Sequence, residues 1–157
     1  MLTKRVVLSL VLAIGSVTAA YAQSCSAGMS NIAFGNVDVT SGNPVDTGGT
    51  LQVTCSGFVG TGSGRLCISF GVGSSGDATS RQLLGPSSVR YDLYTTAART
   101  TLWGSWQSGY KSPGLQVDVA NGTKSIPVYA RFLGSQQSAP SGSYSSSFAG
   151  RSVHRIS

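Results

Sequence analysis

Glutamate is absent from this 157-residue chain, and the residues that carry most enzyme and metal chemistry are nearly absent with it. There is one histidine, His154, beside five aspartates and three cysteines. Helices of soluble proteins draw their exposed faces from Glu, Lys, Ala and Leu, so a chain without Glu and with few Lys is poorly suited to a helical fold. A zinc site needs about four His, Cys or carboxylate ligands at short spacing, and no CxxC is present. Nucleophilic hydrolysis needs a base held beside a nucleophile. His154 lies in a polar tail, and no Gly-x-Ser-x-Gly elbow occurs. The five aspartates (Asp38, Asp46, Asp77, Asp92, Asp118) are isolated, which suits turns and strand surfaces better than the paired carboxylates of a glycosidase. Gly71 to Gly76 lacks the Lys-Ser/Thr ending of a phosphate loop. No catalytic residue, cofactor or metal site is expected.

Long apolar runs are also missing, apart from the first segment. Lys4 and Arg5 precede a mostly apolar stretch from Val6 to Ala19, which closes on the small-x-small triplet Ala20-Tyr21-Ala22. This is the pattern of a cleavable signal peptide over residues 1–22, cut before Gln23. The run is too short for a permanent membrane span. A secreted chain, exported by way of the periplasm to the cell surface or beyond, is therefore expected. Its mature part, 23–157, is 135 residues long, the length of one domain with a real core. Loss of Lys4 and Arg5 takes the formal charge from +6 to +4, and the remaining basic residues are scattered. They form no basic, aromatic-lined groove for nucleic acid.

What the mature chain does contain is Ser, Thr and Gly between short runs rich in Val, Ile, Tyr and Phe, the composition of an all-β exported protein. Ile32 to Val39 predicts a first strand with a bend at Gly35, and Ser41-Gly42-Asn43-Pro44 a turn. Leu51, Val53 and Cys55 share one face of a second strand. Leu66, Ile68, Phe70 and Val72 share a face of the next, with Cys67 pointing the other way. Val89 to Tyr94, Leu115 to Val119 and Ile126 to Leu133 continue the series, the last two joined by an Asn121-Gly122 turn. Pro127 is expected near a strand start or on an edge. Six or seven such strands indicate an antiparallel β-sandwich.

In an oxidising compartment two of the three cysteines are expected to pair. Cys25–Cys55 is the preferred disulfide, with Cys67 free, and Cys55–Cys67 is the alternative. Leu102-Trp103-Gly104-Ser105-Trp106, followed by Gly109-Tyr110, forms an aromatic loop. Trp103 is expected to cap the core. The alternative makes Trp103, Trp106 and Tyr110 surface-contact aromatics for a glycan or a solid surface.

These stretches together resemble the spore coat protein U family, which includes secreted pilins of archaic chaperone–usher systems. The resemblance runs from Cys25 to about Phe148. It is most specific at Val89-Arg90-Tyr91-Asp92-Leu93-Tyr94 and the later Leu102-Trp103-Gly104, with Asp92 standing where the family usually has asparagine. Val128-Tyr129-Ala130-Arg131 and Gly142-Ser143-Tyr144 match its closing region. The resemblance implies an incomplete immunoglobulin-like sandwich that lacks one strand. It implies a periplasmic pilus chaperone, an outer-membrane usher and a neighbouring pilin's donor strand as partners, by β-augmentation. Only Gln23 and Ser24 stand between the predicted cut and Cys25, too few to form a donor strand, so an acceptor is expected, at a pilus tip or as the receptor-like first domain of a two-domain tip protein. The ending from Arg151 to Ser157 lacks the family's usual alternation and terminal aromatic, which raises the expectation of divergence or truncation there.

Overall fold

The computed structural model of the chain describes residues 23–77, 80–148 and 153–156. The export signal predicted at 1–22 lies outside them. Among the described residues there are nine strands: β1 (Ser24–Met29), β2 (Val45–Ser56), β3 (Ser63–Ile68), β4 (Ser75–Asp77), β5 (Ser80–Leu84), β6 (Ser88–Tyr94), β7 (Leu115–Ala120), β8 (Gly122–Phe132) and β9 (Val153–Ile156). Among the described residues the helical content is one 3-10 turn, Val39–Ser41. All pairings are antiparallel. They build a larger curled sheet in the order β1-β2-β8-β6-β5-β4 and a smaller one in the order β7-β3-β9. The expected β-sandwich is thus present.

Period-two alternation explains which residues fill the space between the sheets. Leu51, Val53 and Cys55 of β2, Ile126, Val128, Ala130 and Phe132 of β8, and Val89, Tyr91 and Leu93 of β6 are all buried. Leu66 and Ile68 of β3 and Val119 of β7 meet them from the smaller sheet. Each large aliphatic side chain so buried contributes roughly 1.5–3 kcal/mol. In the tail, the Tyr144 hydroxyl donates to the Pro140 carbonyl four residues upstream, at 2.7 Å.

One local expectation is corrected. The first strand is Ser24–Met29, not 32–39. Residues 30–38 form no paired strand; they cross the β2 backbone, where Ser30 N–H donates to Thr50 O and Thr47 Oγ1 donates to Ala33 O. Gly49 makes that crossing feasible, because a Cβ there would lie 2.9 Å from both Ile32 and Ser30 side-chain atoms. Ile32 and Phe34 then turn onto the core, with Phe34 edge-on to Tyr91 and Phe132. Pro127 lies inside β8, opposite Thr50, on a stretch of that strand that is a sheet edge, as expected. The ladder tolerates it because β6 pairs with β8 only from Tyr129 onward, so β8 has a single neighbour at Pro127.

Candidate functional site

β1 consists of small and polar residues apart from Met29, and its position depends on Cys25. Cys25 and Cys55 are directly opposite each other in the β1–β2 register and form a disulfide. Cys67 is free and half-buried on β3, with the Gln116 amide near its sulfur. The competing Cys55–Cys67 bridge is not formed. The tail beyond Gly142 contains a strand after all: β9 pairs with β3 and sets His154 opposite Cys67 in register. Among the described residues β1 ends the larger sheet and β9 ends the smaller one, so each has one hydrogen-bonded neighbour there. They approach each other at a common border of the sandwich.

The aromatic loop connects the two sheets through Trp103. Its side chain is fully buried, so Trp103 cannot serve as a surface-contact residue and that assignment is withdrawn. The indole Nε1 donates to Ile68 O of β3 at 3.1 Å, while the backbone N–H donates to Leu93 O of β6 at 2.8 Å. Phe70 lies edge-on to the ring at 4.9 Å between centroids. Trp106 differs sharply: it is 49% exposed, and the pyrrole edge of its ring lies against Gly114 just ahead of β7. Its backbone N–H donates to Ser69 Oγ. Tyr110 is half-buried, with its hydroxyl close to Gly71.

Arg81 completes the junction. On β5 it occupies a core-facing position opposite Tyr91 and is only 6% exposed. Its guanidinium donates to three backbone carbonyls: Gly71 at 2.9 Å, Phe70 at 3.0 Å and Trp103 at 2.7 Å. Burial lowers its pKa, and Tyr91 and Asp92 oppose that change. A charge buried this deeply is tolerated only when its donors are met, and three carbonyls from the chain after β3 and the aromatic loop meet them. The Tyr91 hydroxyl is buried beside Ser146 at a geometry short of a hydrogen bond, and burial raises its pKa. Sequence reasoning did not single out Arg81 as a strut. The available signal was its parity with Leu83 on an apolar strand face.

Asp92 sits near this junction, and burial raises its pKa, with Arg81, then Lys111 and Arg90, pulling the other way. A carboxyl whose folded pKa exceeds its unfolded value destabilises the fold when ionised. The penalty is absent below the unfolded pKa of about 4 and complete once the pH passes the folded value. Asp92→Asn is therefore expected to raise the urea midpoint at pH 7 by the equivalent of about 0.5 kcal/mol, a small figure because the group is only half-buried. The gain should vanish below about pH 4; a variant equally stabilised at both pH values would contradict the assignment.

Asp46 behaves oppositely on the outer face. A hydrogen bond from Arg131 holds its carboxyl below the usual range. Arg131 reaches both its oxygens, at 2.6 and 2.8 Å, and Arg99 adds an ion pair at 3.2 Å. Arg99 also donates to Thr47 O and Ala130 O and lies over the Tyr129 ring, fixing the connection after β6 to the larger sheet. The arrangement offers edges, a disulfide staple and an exposed indole. Among the described residues no cluster of three or more His, Cys, Asp or Glu could hold a metal, and no helix is long and apolar enough to cross a membrane.

Comparison with known proteins adds one match. The family model for the Spore Coat Protein U domain covers residues 12–150 of the chain. No curated protein matches it.

Proposed function

This chain belongs to the Spore Coat Protein U domain family, a family of fimbrial-type structural subunits, and from that premise we propose that it is a non-catalytic subunit of a chaperone–usher surface fibre. In this reading the exported chain is held in the periplasm by a pilus chaperone and delivered to an outer-membrane usher. A neighbouring subunit's donor strand then completes its sandwich. Adhesion, biofilm formation and a place at the fibre tip belong to the same proposal.

The observation that carries it is the border between β1 and β9. Among the described residues each of these strands has one unpaired edge, and the half-buried Met29 and Ile32 pack on the core from the β1 side. An open edge beside core residues invites another strand, through main-chain hydrogen bonds for affinity and alternate side chains for fit. The test is expression of the mature chain in a periplasm with and without a co-expressed cognate pilus chaperone. Co-purification with the chaperone, and proteolysis or aggregation without it, is the expected result. A protease-resistant monomer formed alone would overturn the proposal.

A second reading, a free-standing glycan- or surface-binding module, is favoured by the half-exposed Trp106 ring resting on Gly114. In that case Trp106→Ala should abolish binding to a glycan array or a coated surface while shifting stability by no more than about 0.5 kcal/mol. Retention of binding would exclude it.

A further inference from the structure

The β7–β8 hairpin turns at Asn121-Gly122, and Asn121 does more there than turn the chain. Its side-chain oxygen accepts from Phe58 N–H at 3.0 Å, and its Nδ2 donates to Phe58 O at 2.7 Å. The carboxamide thus spans both backbone groups of a residue whose ring is buried in the core. It ties the β2–β3 connection to the hairpin. Gly122, at φ +110°, carries no side chain to hinder approach of the Asn121 carboxamide to the nitrogen that follows it. Asn31, Asn36 and Asn43 precede Ile, Val and Pro, which leaves Asn121 as the one asparagine followed by glycine.

We propose that Asn121 is a modification site gated by folding, a spontaneous deamidation that the Phe58 contact holds off. The Gly122 backbone nitrogen, giving up its proton to base, bonds to Asn121 Cγ. The Cγ–Nδ2 bond breaks, and the nitrogen leaves as ammonia with that proton restored. Water then opens the five-membered imide. Cleavage of the new Cγ–N bond gives aspartate, and cleavage on the main-chain side gives isoaspartate. Attack requires Cγ to swing over the Gly122 nitrogen, so both hydrogen bonds to Phe58 must first open. While they are closed the reaction stops at its first step.

The product cannot restore the contact. An aspartate carboxylate has no N–H for Phe58 O, and isoaspartate lengthens the main chain inside the hairpin. Conversion during a prolonged unfolded stage would therefore mark chains that then fold less well. The site is chemically separate from the β1–β9 border and does not depend on how the subunit assembles.

The test uses the exported chain recovered in its folded form. One portion is kept native and another is unfolded in concentrated urea, at the same mildly alkaline pH and temperature. Tryptic peptide Ser112–Lys124 is then followed by mass spectrometry for the gain of one mass unit and for isoaspartate. Conversion in urea is expected to exceed the native rate by at least about tenfold, because the folded chain reacts only through its open fraction. Asn36, exposed in the fold and followed by Val37, serves as the internal reference, and its rate should change little. Asn121→Gln should remove the signal from this peptide in urea, which fixes its origin. Equal native and unfolded rates at Asn121 would overturn the proposal.

Discussion

Replacement of Trp103 by alanine is expected to cost about 3–5 kcal/mol of folding stability, the range for emptying a buried aromatic site. Its ring is fully buried between the sheets and edge-on to Phe70. Truncation leaves the Ile68 carbonyl without the indole donor, which adds the cost of an unsatisfied buried acceptor. The backbone bonds of residue 103 to Leu93 and Arg81 do not depend on its side chain, so the loss should report the ring itself. Trp103→Phe preserves much of the volume and should cost about 1–3 kcal/mol, mainly from the orphaned carbonyl. Urea midpoints and near-ultraviolet circular dichroism read both variants. A Trp103→Ala protein as stable as Trp106→Ala would refute the assignment of one ring to the core and the other to solvent.

Loss of the disulfide is the second large effect. The bridge closes a loop with a sequence separation of 30, and removing it frees the denatured chain by about 3–4 kcal/mol in the chain-entropy account. Cys25→Ala with Cys55→Ala should reproduce that loss. Reductant should lower the midpoint of the parent chain and leave the double variant unchanged. Cys67→Ser should move it by no more than about 0.5 kcal/mol, since a half-buried free thiol leaves little behind. If Cys67→Ser were as costly as the paired cysteines, the pairing would be wrong. Domains of this size are stable by only about 5–15 kcal/mol, so combining this loss with Trp103→Ala is expected to leave little folded protein.

The strands that were legible in the sequence are those whose partners impose strict alternation. β6 and β7 match the expected Val89 to Tyr94 and Leu115 to Val119 closely, and Leu51, Val53 and Cys55 do face the core. Each has one face on the other sheet, so period two is written into it. β1 was not legible. Ser24–Met29 has small and polar residues at almost every position, and its strand state comes from pairing with β2 and from Cys25, which are tertiary facts. Residues 32–39 produced the opposite error: Ile32 and Phe34, then Val37 and Val39 beyond the Gly35 bend, have the spacing of a strand, yet that spacing also serves an unpaired segment crossing at Gly49. Arg81 was missed because a lone arginine in a strand normally faces water. Its three acceptors come from segments remote in sequence, and only the closed fold assembles them.

The position of the disulfide also has a mechanical meaning. Cys25 is the second residue of β1, at the end where peeling from β2 would otherwise begin. A strand hydrogen-bonded to the free edge of β1 and pulled lengthwise would load β1 in shear. The staple passes that load to β2, which runs for 12 residues and is in register with β8 from Val45 to Cys55. Tension is then carried by a covalent link into a long ladder, and reduction would leave the short β1–β2 ladder to bear the shear alone.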